Sequence, residues 1–137
     1  MSKHIIKQLS ILNRNKQEQL QNELAKLQEK KNKILKQVEE HQWKIQKLHN
    51  DRGQFKKQAY QQKFRNTVVK AANINQVRFT MQEFEHRLKT KLEHQKQLNE
   101  QMKYVEQEIK AVQLQLHYHI VKDEKYQEIY RKYHEQL

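Results

Sequence analysis

Apolar side chains recur along this chain at alternating steps of three and four residues, the spacing that keeps them on one stripe of an α-helix wound against a partner. From residue 20 the stripe reads Leu20, Leu24, Leu27, Lys31, Ile34, Val38, His41, Ile45, Leu48, Arg52, Phe55 and Ala59, and nine of these twelve positions are apolar. A second series reads Val77, Met81, Phe84, Leu88, Lys91, Gln95, Leu98, Met102, Val105, Ile109, Val112, Leu116, His119, Asp123, Tyr126, Tyr130, Tyr133 and Leu137. Fourteen of its eighteen positions are apolar or tyrosine, in unbroken register to the last residue. Two long helices follow, each with a narrow apolar seam.

Between the two series the stretch RNTVVKAANINQ, residues 65–76, interrupts the pattern with three asparagines and a β-branched cluster. Asn73, with Gln76 three residues on, resembles a helix-start capping pair. The first stripe passes through Gly53, the single glycine, without a change of phase, so Gly53 reads as lying inside the first helix rather than at a turn. The pattern therefore predicts an all-α protein, a long antiparallel two-helix coiled-coil hairpin forming one domain over residues 1–137. Helix 1 covers about 3–64, the turn about 65–75 and helix 2 about 76–137, with both termini together at the end opposite the turn. Facing residues then have numbers summing to about 136. His41 would face Gln95, Gln17 would face His119, Asn13 would face Asp123, Lys31 would face Val105 and Arg52 would face Phe84. At the start of the chain Ile5, Leu9 and Leu12 are out of phase with Leu20 and predict a four-residue stutter, which locally unwinds a supercoil. Arms of about 60 residues at ~1.5 Å each would span on the order of 90 Å.

Composition agrees with this reading. Of 137 residues only 35% are hydrophobic and 32% are charged, too little apolar material for a compact globular core, and proline is absent. Lys, Glu, Gln, Leu and Arg, all good helix formers, dominate. With no cysteine, disulfide and thiolate chemistry are excluded, and no apolar run suggests a signal peptide or a membrane span. These features point to a cytoplasmic protein that does not insert into a membrane. The net charge of +12 is uneven: residues 1–68 carry 16 Lys and Arg against 6 Asp and Glu, whereas residues 69–137 carry 12 against 10. A basic first arm favours an acidic partner.

Residues for catalysis are missing. One glycine cannot build a phosphate-binding loop, and no nucleophile, base and acid sit on a strand-turn scaffold. None of the eight histidines stands four residues from another, so no helical metal pair forms. Glu106 with Glu108, and Asp123 with Glu124, are surface carboxylates with no cleft to perturb them. No catalytic residue, cofactor or metal is expected, and the chain reads as a non-enzyme. Tyr118, Tyr126, Tyr130 and Tyr133 crowd the C-terminal end beside Ile5, Ile6 and Leu9, where they either pack the seam or form a contact surface.

The start of the second helix, NINQVRFTMQEFEHRLKTKLEHQKQLNE at 73–100, resembles FliJ-type flagellar proteins and the related YscO-type proteins of virulence type III secretion. The matching residues are Gln82, Glu83, Phe84, Leu88, Gln97, Leu98 and Asn99. About twenty-eight residues carry the likeness; Lys91 and Gln95 depart in character from the flagellar pattern. The resemblance implies a central stalk of a type III secretion ATPase, working at the cytoplasmic face of the bacterial inner membrane. Its paired termini would enter the pore of the hexameric ATPase, promoting ring assembly and hydrolysis, and the coil near the turn would contact a membrane export-gate protein. The ATPase-contact residues are then Lys3, Ile5, Ile6, Lys7, Leu9, Arg14, Tyr126, Tyr130 and Tyr133. Phe84 and Leu88 match the family's gate-contacting face, and packing adds Arg52 and Phe55. Secretion chaperones are further partners under this reading.

Two other readings stay open: a basic coiled coil associated with nucleic acid, and a chaperone or escort rod for secreted proteins. Against nucleic acid, the basic residues are spread along the arm without the dense block of a zipper-type reader, so no nucleic acid is the expectation.

Overall fold

The structure, a computed structural model, describes residues 3–65 and 71–135, with side chains over 3–59 and 74–133. Two helices account for them: α1, Lys3–Arg65, and α2, Ala71–Glu135, which pack against each other. Each is rich in residues of high helix propensity and lacks proline, so nothing inside either segment stops it. Gly53 lies within α1, as its unbroken phase predicts, without a positive φ, and a Cβ there would meet nothing within 4 Å. The chain is helical already at Ala71, several residues before the expected start near 76, so Asn73 and Gln76 sit within α2 rather than ahead of it. The centre of the expected turn, 66–70, and the side chain of Asn73 lie outside the described residues.

The chain divides into two units, one of Met1–Lys33 with Met102–Leu137, the other Ile34–Gln101. In the first, the terminal unit, the core is Ile6, Leu20, Val105, Ile109 and Val112. In the second it is Ile34, Ile45, Leu88 and Leu98 with His41 among them. Burying a side chain of this size contributes about 1.5–3 kcal/mol. Every position of both predicted seam series among the described side chains is buried or half-buried. Most are half-buried, because two helices supply only one layer of cover.

The start of α1 departs from expectation. Ile6 is 1% exposed, whereas Ile5 is 47% and Leu12 65% exposed. The seam runs through Ile6, Ser10, Asn13 and Gln17 into Leu20 in a single phase, so the expected stutter is absent. Hydrogen bonding explains the choice. Asn13, buried on the seam, donates from Nδ2 to the His119 carbonyl at 2.7 Å, and its Oδ1 lies 2.7 Å from His119 Nδ1. Because a carbonyl can only accept, the amide orientation follows and His119 Nδ1 carries the proton. Gln17 donates to the same carbonyl at 3.1 Å, and Ser10 donates to Asp123 at 3.3 Å. No fully buried polar side-chain atom among the described residues lacks a hydrogen bond, so these seam residues tolerate burial, and shifting the phase to seat Leu12 would break their bonds.

Gln17 thus meets His119 as expected, while Asn13 meets His119 one turn from the anticipated Asp123. In the second unit His41 Nε2 donates to the carbonyl of Lys91, one turn before the expected Gln95, at 2.5 Å, and its ring stands edge-on to His94, the residue next to Gln95. Lys31 remains on the seam and reaches Glu106 at 3.7 Å, next to the Val105 it was expected to cover. A long stem of this kind can lie along a seam while its charged end stays wet, and both partners of this pair are partly exposed.

Candidate partner-binding surfaces

In the terminal unit, residues near the two chain ends are brought together by the Ser10, Asn13 and Gln17 bonds just described. Lys3 lies over the Tyr130 ring at 5.4 Å from its centroid, and Lys122 lies near both Tyr118 and Tyr126, at 5.7 and 5.9 Å. Each of these placements attracts a cation to the negative face of a ring. Arg14 stands 3.7 Å from Asp123, with the arginine largely exposed and the carboxylate largely covered. Asp123 also accepts from Gln127 at 3.3 Å, so this carboxylate has three neighbours that orient it.

A groove of about 390 Å³ opens beside this cluster, lined by Ile6, Lys7, Ser10, Ile11, Arg14, Tyr126, Gln127, Tyr130 and Arg131. Five residues of the sequence-based contact set, Ile6, Lys7, Arg14, Tyr126 and Tyr130, line it, and Lys3 joins through Tyr130. Ile6 contributes its edge as floor only, since it is buried. Ile5 is about half exposed and Leu9 and Tyr133 are half-buried, and none of the three lines the groove. Ser10, Ile11, Gln127 and Arg131 belong to the groove and were not anticipated; Ile11 and Arg131 matter most for what the groove can bind. Their signal was present: Ile11 is four residues from Lys7, and Arg131 four from Gln127, so each pair shares a helix face flanking the seam.

In the second unit the rings of Phe55 and Phe84 lie 5.9 Å apart at 43°, both half-buried. Arg52, expected to face Phe84, borders a shallow groove of about 440 Å³ with His49, Glu85, Leu88, Lys89, Leu92, Glu93 and Lys96. Leu88 is 4% exposed, so as the helices pack here it supports the surface from beneath. The charges around this groove are of both signs, in contrast with the terminal groove.

Among the described residues no three His, Cys, Asp or Glu side chains are grouped to hold a metal ion, and no helix is long and apolar enough to cross a membrane. Comparison with protein-family models, with curated proteins and with solved structures found no match.

Proposed function

We propose that this protein is a non-enzymatic central stalk of a type III secretion ATPase, built as an antiparallel two-helix coiled coil. In this reading the paired ends enter the pore of the hexameric ATPase and favour ring assembly and ATP hydrolysis. The face carrying Arg52, Phe55, Phe84 and Leu88 meets an export-gate membrane protein, at the cytoplasmic side of the bacterial inner membrane. The resemblance of residues 73–100 to FliJ-type and YscO-type proteins supplies the functional class. The observation that carries it is the joining of the two ends of the chain in one unit, where Ser10 meets Asp123 and Lys3 meets Tyr130. A paired end that presents cations and amphipathic rings suits insertion into an acidic ring lumen, and charge steers the encounter.

The mechanism is mechanical. A single shaft lacks the symmetry of six subunits, so it contacts them unequally and stabilises different conformations around the ring. Hydrolysis then proceeds in sequence because each subunit's state changes which neighbour the shaft favours. The shaft needs no reacting group of its own, only a stiff end and differential contacts.

The test is the turnover rate and oligomeric state of the cognate secretion ATPase with the full chain, and with a chain lacking residues 1–12 and 124–137. Stimulated hydrolysis and ring formation are expected from the first alone. A full-length variant with Lys3, Lys7 and Arg14 reversed to glutamate should bind the ATPase more weakly, with the loss largest at low salt. Unchanged turnover with the intact protein would remove the stalk reading.

A further inference from the structure

Charge around the terminal groove is one-sided. Lys7, Arg14 and Arg131 line it, and Lys3 stands just beyond, over Tyr130. The acidic residue at hand, Asp123, is already engaged by Ser10, Arg14 and Gln127. Lys7 and Arg131 make no ion pair among the described residues, and both are exposed. Between these cations lie Ile6, Tyr126 and Tyr130, and the half-exposed Ile11 borders them. An apolar floor under a cationic rim in which Lys7 and Arg131 have no ion-pair partner among the described residues is complementary to a ligand with an apolar stripe flanked by carboxylates.

The shape narrows the ligand further. Both walls are helices whose backbone groups are satisfied internally, so an extended strand lying there would find no partners for its own N–H and C=O groups. A helix brings its backbone bonds with it and needs only side-chain packing. From Ile6 to Arg14 the groove follows about two turns of α1, roughly 12 Å, enough to seat two apolar side chains one turn apart.

Two other occupants fit less well. A single-stranded nucleic acid would need open aromatic faces for stacking, but Lys3 lies over Tyr130 and Lys122 lies by Tyr126. A second copy of this chain placed symmetrically would set the same cations against each other, in a protein of net charge +12.

We infer that the groove between Ile6–Arg14 of α1 and Tyr126–Arg131 of α2 binds an acidic amphipathic helix of a partner protein. Its apolar side chains lie between Ile11 and Tyr130 and its carboxylates pair with Lys7 and Arg131. The inference deepens the contact reading of the terminal unit and rests on it only in taking that unit as a binding surface. The test below contains no ATPase, so the two readings fail separately.

The probe is a fluorescein-labelled synthetic 16-residue peptide with leucine at three- and four-residue spacing and glutamate on both flanks. It is compared with a scrambled peptide of identical composition and with the version carrying glutamine for glutamate. Anisotropy titrations with the full chain at physiological salt are expected to show saturable one-to-one binding of the first peptide and binding at least about tenfold weaker for the other two. Arg131→Glu and Lys7→Glu should each weaken binding about tenfold, and Ile11→Asn should weaken it without altering the far-ultraviolet circular dichroism. Lys16→Glu makes the same charge change at an exposed position outside the groove and should alter affinity less than about twofold.

Absence of saturable binding overturns the inference. So does equal binding of the scrambled peptide, or an equal loss with Lys16→Glu, since either would show diffuse charge attraction alone. Tighter binding of a short DNA or RNA oligonucleotide, with Arg131→Glu abolishing it, would also overturn it and assign the groove to nucleic acid.

Discussion

Asn13 shows what a single polar residue does in a narrow seam. Its amide bonds both the carbonyl and the ring of His119, so the three groups satisfy one another where solvent is excluded. Replacing Asn13 by alanine removes both bonds and leaves the His119 ring and carbonyl with less, at a cost of about 1–3 kcal/mol. The urea midpoint followed by circular dichroism should fall accordingly, whereas alanine at the exposed neighbour Asn15 should leave it nearly unchanged. Gly53 gives the opposite sign. With ordinary helical φ and open space where a Cβ would stand, Gly53→Ala should raise stability by about 0.5–1 kcal/mol, because glycine loses more backbone freedom on folding. A decrease in the same denaturation assay would show that the position is not a regular helical one.

Within α1, the two candidate phases for the first turns make opposite demands on neighbouring side chains. The observed phase buries Ile6 and exposes Leu12, while a stutter would have put Ile5 and Leu12 on the seam. Ile6→Ala should therefore cost about 2–5 kcal/mol, as for other fully buried aliphatic residues. Leu12→Ala should fall within about 0.5 kcal/mol of the parent. A reversed order in thermal melts would restore the stutter. The second helix offers no such conflict, since its seam keeps one phase from Val77 to Tyr133 and every position on it is at least half covered.

For the molecule as a whole, the consequential feature is that the two ends of one chain share a unit. The sequence has no cysteine, so introduced thiols report without background. Ser10 and Asp123 touch at 3.3 Å, and the double variant Ser10→Cys, Asp123→Cys should be closed within one chain by a short bis-maleimide linker. The product should run as a compact monomer on a denaturing gel, with a yield that does not depend on protein concentration. A linked dimer that grows with concentration would mean that α1 of one copy pairs with α2 of another, as in domain swapping. The proposed stalk function would require the closed monomer or an equivalent pairing of ends, so this measurement also conditions the ATPase experiment.

Seam positions Leu20 to Ala59 and Val77 to Tyr133, the continuation of α1 through Gly53 and the all-helical class were legible in the residues alone. Periodicity is a local property, repeated often enough in two long helices to outweigh single exceptions. The contacting register was readable to about one helical turn, from the matching of polar seam residues such as Gln17 and His119. Tertiary structure decided the rest. Whether Ile5 or Ile6 turns inward depends on what α2 presents opposite, and the answer lay in hydrogen bonds from Asn13, Gln17 and Ser10 to residues more than a hundred positions away. The groove has the same origin. Ile11 and Arg131 are ordinary outer-face residues on their own helices, and they line one cationic cleft only because packing sets those faces side by side. Hydropathy spacing registers which face of a helix is buried, but it carries no information about the charges and hydrogen-bond partners that the opposing helix will bring to that face.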